Sequence, residues 1–119
     1  MQAMPSNMVG GEGMELTFGA YSHPGKVRKI NEDYFFIPTG KTTIKNLVIV
    51  ADGMGGHNAG DIASRMVVED IFRYYGQNMH QIVSLEDAKD SVIKSMQAAN
   101  TKVYRQSKTH IRYEGMGTT

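Results

Sequence analysis

Five consecutive apolar residues, 47–51, run directly into Asp52. Such a run is typical of a β-strand that is covered on both faces. Residues 33–37 form a second run, rich in aromatic and β-branched side chains, and residues 39–41 between the two runs supply turn chemistry. The two runs therefore predict an antiparallel β-hairpin.

Three acidic residues lie at the open end of this hairpin. Asp33 starts its first strand, Asp52 follows its second strand, and Glu32 is one residue away. A register centred between residues 42 and 43 would place Asp33 and Asp52 almost opposite each other, with Cα atoms about 4.5 to 5.5 Å apart. The hairpin therefore predicts an acidic cluster at one edge of the sheet.

Such a cluster is unfavourable unless it is solvated, protonated or neutralised by cations. Two carboxylates about 5 Å apart repel by roughly 3 kcal/mol at an effective dielectric of about 20. A divalent cation would remove that cost, and oxygen donors in a chain without cysteine suit Mg²⁺ or Mn²⁺ better than Zn²⁺. The alternative is a set of solvated acids at loop ends. The joint position of all three residues favours the metal site.

Two helices are predicted after the glycine-rich stretch 53–60. The first runs from about Asp61 to a stop at Gly76, and the second begins at Ser84 and Asp87, which have the spacing of a capping box. The apolar residues at helical spacing are Ile62, Met66, Val67, Ile71, Tyr74 and Tyr75 in the first helix, and Leu85, Ala88, Val92, Met96, Ala99 and Val103 in the second. Each helix is therefore expected to bury one face.

The remaining segments complete the expected organisation. Residues 1–13 show no periodicity and predict a flexible tail or an added extension, whereas residues 14–119 predict one domain or part of one. The alternation that begins at Glu15 predicts a half-buried strand. Its inward residues would be Leu16, Phe18 and Ala20. Residues 115–119 look like the opening of another strand, so we expect a truncated domain.

The order of three strands and then two helices predicts an α+β architecture, in which helices cover a mainly antiparallel sheet. The net charge of +1 gives no reason to expect nucleic acid or a membrane as a partner, and no apolar stretch approaches the roughly 20 residues that cross a bilayer. We expect a cytoplasmic protein. Three basic residues, Lys102, Arg105 and Lys108, are placed to complement the negative end of the second helix dipole.

Two mechanistic classes are excluded for this segment. An enzyme with a cysteine nucleophile needs a thiolate, and the chain contains no cysteine. A P-loop nucleotide binder needs a lysine after its glycines, and none follows here.

Three ordered motifs resemble the metal-dependent serine/threonine protein phosphatases of the 2C type, in their bacterial form. Residues 28–33 (Arg-Lys-Ile-Asn-Glu-Asp) and 50–60 (Val-Ala-Asp-Gly-Met-Gly-Gly-His-Asn-Ala-Gly) resemble the first two motifs of that family, and residues 115–119 resemble the next. The resemblance runs from about Leu16 to Thr119. Three motifs in order are far more specific than one glycine-rich string.

The resemblance implies an antiparallel β-sandwich flanked by helices, of which this chain would be an incomplete N-terminal portion. It implies hydrolysis of phosphoserine and phosphothreonine in phosphorylated proteins, the products of a serine/threonine kinase, by water activated at two Mn²⁺ or Mg²⁺ ions. Further metal-binding aspartates of the family belong to later motifs, so the fragment alone is expected to be inactive or weakly active. Its open sheet edges predict self-association.

The resemblance also assigns roles to individual residues. Asp52 would bridge the metals, Gly53 would offer its backbone carbonyl, and Glu32 and Asp33 would hold the centre directly or through water. Arg28 would bind the substrate phosphate, because a guanidinium matches phosphate oxygens bidentately.

His57 has two interpretations. Eukaryotic relatives place a general-acid histidine directly after Asp-Gly, where this chain has Met54. His57 would therefore be either that acid or a residue that hydrogen-bonds the glycine-rich loop. A different function for the whole chain is also open, namely a non-catalytic module that binds phosphoproteins or other partners.

Overall fold

A computed structural model describes residues 2–3, 16–55 and 59–119 of the chain. Its strands are β1 (Gln2–Ala3), β2 (Leu16–Thr17), β3 (Asp33–Phe36), β4 (Ile49–Met54) and β5 (Gly117–Thr118). Its α-helices are α1 (Ala59–Asn78) and α2 (Leu85–Ser107), with short 3-10 helices at Met79–Gln81 and Ile111–Tyr113. The predicted α+β class is confirmed. None of the described helices is long and apolar enough to span a membrane.

Strands β3, β4 and β5 form an antiparallel sheet in that spatial order. Asp33 lies opposite Asp52 and Phe36 lies opposite Ile49, so the predicted hairpin and its register are confirmed. Strand β5 pairs with the end of β4, with Thr118 opposite Gly53. The strand expected within residues 115–119 is therefore also present.

The strand expected from Glu15 onward is much shorter than predicted. Strand β2 ends at Thr17, and its described partner is the two-residue β1. Leu16 is 47% exposed and Ala20 is also exposed, whereas Phe18 is half-buried, so the predicted face is wrong for two of its three residues. A two-residue pairing builds no sheet face on which side chains could be buried. Of the predicted tail 1–13, Gln2 and Ala3 form β1, and the others lie outside the described residues.

Strand β4 is buried on one face, not on both. Ile49 and Ala51 are buried, whereas Val48 is 44% exposed and Val50 is 74% exposed. Helix α1 packs on the sheet from one side. The prediction of a strand covered on both faces is therefore wrong for the described part of the chain, because an apolar run indicates what a strand can bury and not what is present to cover it.

The hydrophobic core lies where α1 packs between β4 and α2. Its main buried cluster consists of Ile44, Leu47, Ile49, Ala51, Val68, Ile71, Tyr75 and Ala99. The rings of Phe36 and Phe72 pack against this cluster with centroids 4.7 Å apart. The core therefore fixes the hairpin to α1.

The sequence had predicted that the first helix ends at Gly76. The structure shows that this prediction is wrong, because Gly76 lies inside α1. The helix continues to Asn78. A Cβ atom at Gly76 would lie 3.2 Å from Cδ1 of Ile44, which is a tight contact. The glycine therefore leaves space for a buried side chain of the loop between β3 and β4 to lie against the helix.

Helix α2 begins at the predicted capping box. The Asp87 N–H donates to Ser84 Oγ at 3.1 Å, and the Ser84 N–H donates to Asp87 Oδ2 at 3.0 Å. The hydrogen bond from the Ser84 hydroxyl lowers the pKa of Asp87 most, followed by that from the Val83 N–H, because both stabilise the carboxylate. Both reciprocal bonds of the motif are present.

The apolar face predicted for α2 is only partly correct. The buried residues of the helix are Ser91, Ser95, Ala99 and Val103. Leu85 is 88% exposed and Met96 is 55% exposed, contrary to the prediction. The buried face of α2 consists mainly of small side chains. Two of them are serines, which a search for apolar residues does not find.

A buried carboxylate joins the two helices. Asp70 on α1 is buried, and its Oδ1 accepts hydrogen bonds from Lys102 Nζ at 2.8 Å and from Arg73 Nη2. Lys102 therefore forms an ion pair with α1, and the prediction that it serves the α2 dipole is wrong. Arg105 does lie in the last turn of α2, where a cation complements that dipole.

Candidate metal centre

Asp33 and Asp52 face each other at the open end of the hairpin. The Asp52 N–H donates to the Thr119 carbonyl oxygen at 2.8 Å, and the Thr119 N–H donates back to the Asp52 carbonyl at 3.0 Å. The backbone groups of Asp52 therefore point away from β3, which makes Asp33 and Asp52 a non-hydrogen-bonded pair, with Cα atoms about 4.5 Å apart. Both residues are exposed, and their side chains share one face of the sheet.

Strand β5 holds Asp52 from the other side. The hydroxyl of Thr118 donates to the Asp52 carbonyl at 2.8 Å, in addition to the two bonds with Thr119. Sequence reasoning assigned neither threonine to the site. The sequence did contain a signal for them. The Gly-Thr-Thr segment was predicted to open a strand, a strand needs a partner, and the strand that ends at Asp52 was already predicted.

Gly53 lies where β4 meets the first turn of α1. Its N–H donates to the Glu32 carbonyl at 3.1 Å. A Cβ atom here would lie 2.5 Å from that same oxygen and would collide with the carbonyl of Gly60. Only glycine fits, so any side chain would separate β4 from α1 beside the acidic pair.

Glu32 connects Arg28 to the start of α1. Its side chain is 20% exposed, and a Cβ atom at Gly60 would lie 2.6 Å from its Oε1. Its Oε2 lies 3.7 Å from Nη1 of Arg28. The carboxylate therefore lies between the guanidinium of Arg28 and the first turn of α1.

Asn31 fixes the chain where it enters β3. Its Oδ1 accepts a hydrogen bond from the Asp33 N–H at 3.0 Å, and its Nδ2 donates to Ser22 Oγ at 2.6 Å. Sequence reasoning quoted Asn31 as part of a motif but gave it no role. It ties the acidic segment to the loop that precedes it.

The geometry thus groups the predicted residues in two sets. Asp33 and Asp52 form a facing pair, whereas Glu32 is turned towards Arg28 and Gly60. Within residues 16–55 and 59–119, no three side chains of the His, Cys, Asp and Glu types converge on one metal position. Two carboxylates fit a hard cation that keeps several water ligands, which is how Mg²⁺ is usually held.

His57 lies outside the described residues, so both of its interpretations remain predictions. The glycines of the loop that are described, Gly55 and Gly60, do serve close packing. A Cβ atom at Gly55 would lie 3.1 Å from Cα of Met116, and Gly60 contacts Glu32 as above. This agrees with a packing role for them, in place of nucleotide binding.

Comparison with known proteins gives one family. The family model described as protein phosphatase 2C matches residues 24–119. The serine/threonine phosphatase stp of Listeria monocytogenes is 35% identical over 95 residues, which are 80% of this chain and 37% of that protein. The chain therefore spans well under half the length of this relative.

Two solved structures share the fold. The Mycobacterium tuberculosis serine/threonine phosphatase PstP/Ppp aligns with a TM-score of 0.63 and 29% identity, over 83% of this chain and 37% of that one. The S. agalactiae serine/threonine phosphatase aligns with a TM-score of 0.69 and 34% identity, over 83% of this chain and 39% of that one. Since the family model matches most of the sequence and solved relatives share its fold, the chain belongs to the protein phosphatase 2C family.

Proposed function

We propose that this chain carries part of the active site of a phosphatase that hydrolyses phosphoserine and phosphothreonine in proteins. The observation that carries the proposal is the facing pair of Asp33 and Asp52, which directs two carboxylates to one exposed face of the sheet. Like charges directly opposite each other destabilise a sheet. A cation bound between the two carboxylates would neutralise this repulsion, so the facing pair provides a binding site for a cation.

The donors suit Mn²⁺ or Mg²⁺. Asp33 and Asp52 offer carboxylate oxygens and Gly53 a carbonyl oxygen, and oxygen ligands are those that hard divalent cations prefer. We propose Asp52 as the shared ligand, because three hydrogen bonds with Thr118 and Thr119 fix its backbone. When bound, such ions supply Lewis acidity that activates water and neutralises phosphate charge.

Arg28 is the proposed phosphate-binding residue. Its side chain is 72% exposed, and its single described ion pair, at 3.7 Å from Glu32, is too long to occupy its donors. The guanidinium fork therefore stays free for two phosphate oxygens, while Glu32 keeps it near the acidic pair. We propose the phosphorylated targets of a serine/threonine kinase as substrates and the cytoplasm as the location.

A chimaera tests the proposal. Residues 24–119 would replace the matching segment of the Listeria monocytogenes phosphatase, and hydrolysis of a phosphothreonine peptide would be followed with Mn²⁺. We expect activity that excess chelator removes, and Asp52→Asn should lower kcat/KM by about 100-fold or more.

The matched control is Asp90→Asn, which removes an exposed carboxylate on α2. It should leave kcat/KM unchanged. Equal activity of the Asp52 and Asp90 variants, or activity that survives the chelator, would contradict the proposal.

A further inference from the structure

Residues 22–31 form a loop that carries Arg28, and we call it the Arg28 loop. Its two ends meet, because Asn31 Nδ2 donates a hydrogen bond to Ser22 Oγ at 2.6 Å, across nine positions of the chain. Both of these residues are half-buried, whereas residues 25–29 are exposed. The Ser22–Asn31 hydrogen bond therefore closes the loop at its base.

Few other polar contacts hold the Arg28 loop in place. Inside the loop, the Gly25 N–H donates to His23 Nδ1 at 2.9 Å. Within residues 16–55 and 59–119, the polar contact between residues 23–30 and the rest of the chain is that of Arg28 with Glu32, at 3.7 Å. That distance is longer than a hydrogen bond. The position of Arg28 therefore depends on how the base of the loop is held.

Asn31 holds the Arg28 loop and β3 at the same time. Its Oδ1 accepts a hydrogen bond from the Asp33 N–H at 3.0 Å. A backbone N–H can only donate, so this bond fixes which end of the amide faces Asp33 and leaves Nδ2 for Ser22. One planar amide thus joins the loop that carries the phosphate-binding candidate to the first residue of the acidic pair.

We propose that Asn31 is a positioning residue, which sets where the guanidinium of Arg28 lies relative to the carboxylate of Asp33. Its Nδ2 places Arg28 through Ser22, and its Oδ1 places Asp33. This role rests on the proposed function, in which Arg28 binds phosphate and Asp33 binds a cation. Such a residue matters for catalysis, because a displacement of about 1 Å can lower the rate by roughly 100-fold.

The two ends of the Asn31 amide predict different kinetic effects in the Listeria chimaera. Ser22→Ala removes the acceptor of Nδ2 and leaves the Oδ1 bond to Asp33 intact. It should raise KM for the phosphothreonine peptide roughly fivefold, with kcat and the Mn²⁺ requirement unchanged, because one hydrogen bond that supports substrate binding is lost. Asn31→Ala removes both bonds, so it should raise KM and the Mn²⁺ requirement together.

Three comparisons separate positioning from a loss of stability. Ser22→Thr keeps a hydroxyl at the same position and should restore KM. Ser84→Ala removes the cap of α2, which also lowers stability, but it lies beyond the opposite end of α1 from the acidic pair and should leave KM unchanged. In an Arg28→Ala background, Ser22→Ala should not raise KM further, because it acts through Arg28.

Nuclear magnetic resonance of the 119-residue chain tests the same hydrogen bond without activity. The backbone order of residues 26–29, measured by ¹⁵N relaxation, should fall in Ser22→Ala and recover in Ser22→Thr.

Three results would overturn the role of Asn31. They are equal KM values for Ser22→Ala and Ser84→Ala in an active chimaera, a further rise in KM when Ser22→Ala is added to Arg28→Ala, and unchanged loop order in Ser22→Ala. A chimaera without chelator-sensitive activity would contradict the proposed function instead. Unchanged loop order beside normal activity would contradict the role of Asn31 alone.

Discussion

The carboxylate of Glu32 lies against the Cα of Gly60, at the first turn of α1. A Cβ atom on Gly60 would lie 2.6 Å from Oε1 of Glu32 and 2.9 Å from the carbonyl carbon of Gly53. This contact sets the distance between the acidic segment before β3, the end of β4 and the start of α1. A residue two positions inside a helix therefore controls the geometry of the candidate metal centre.

Gly60→Ala should destabilise the chain by about 2 kcal/mol, although alanine is the better helix former, because overpacking against backbone costs 1 to 3 kcal/mol. Urea denaturation at neutral pH measures the free energy of unfolding. The control is Gly19→Ala, where an added Cβ atom meets nothing within 4 Å. An unchanged midpoint for Gly60→Ala would show that α1 and β4 can separate freely.

Asp33→Asn should change stability and metal affinity in opposite directions. Without metal, removal of one of two facing like charges should stabilise the chain by about 0.5 kcal/mol. With Mn²⁺, loss of a ligand should weaken binding by roughly 10-fold to 100-fold. Thermal unfolding with and without Mn²⁺ measures both effects. Asp90→Asn should alter neither, and a metal response equal in the two variants would refute the site.

Lys102→Met should destabilise the chain by about 1 kcal/mol, since it leaves the buried Asp70 with one fewer cation. Lys94→Met is the matched control on the same helix, because Lys94 is exposed and forms no ion pair within the described residues. It should stay within about 0.5 kcal/mol of the unchanged chain. Equal unfolding free energies for both variants would show that the Asp70 ion pair adds nothing.

Acid should weaken the start of α2. Folding lowers the pKa of Asp87, so its contribution to stability is complete above the ordinary value of 3.8 and is lost as the pH falls below that value through the lowered pKa. Asp87→Asn should remove this part of the pH dependence. Denaturant titrations between neutral pH and pH 3 compare the two chains, and parallel curves throughout that range would contradict the assignment.

The hairpin and the capping box could be predicted because both depend on residues close in sequence. Turn chemistry and two apolar runs placed Asp33 opposite Asp52, and the Ser84 to Asp87 spacing allowed both reciprocal hydrogen bonds. Predictions from local sequence patterns were wrong where contacts with residues distant in sequence decide the structure. Gly76 was predicted to end a helix. It lies inside α1 instead, where Ile44 of the loop between β3 and β4 packs against it.

The sequence by itself determined the antiparallel register and hence the facing carboxylates, because alternation along a strand and the length of a turn leave few alternatives. The tertiary structure alone decided that Glu32 turns towards Gly60 and that Thr118, 66 positions from Asp52, donates to its carbonyl. It also decided that, among the described residues of β4, Ala51 is buried while Val50 is 74% exposed. Contacts between distant segments depend on how whole elements pack, and no local spacing encodes them.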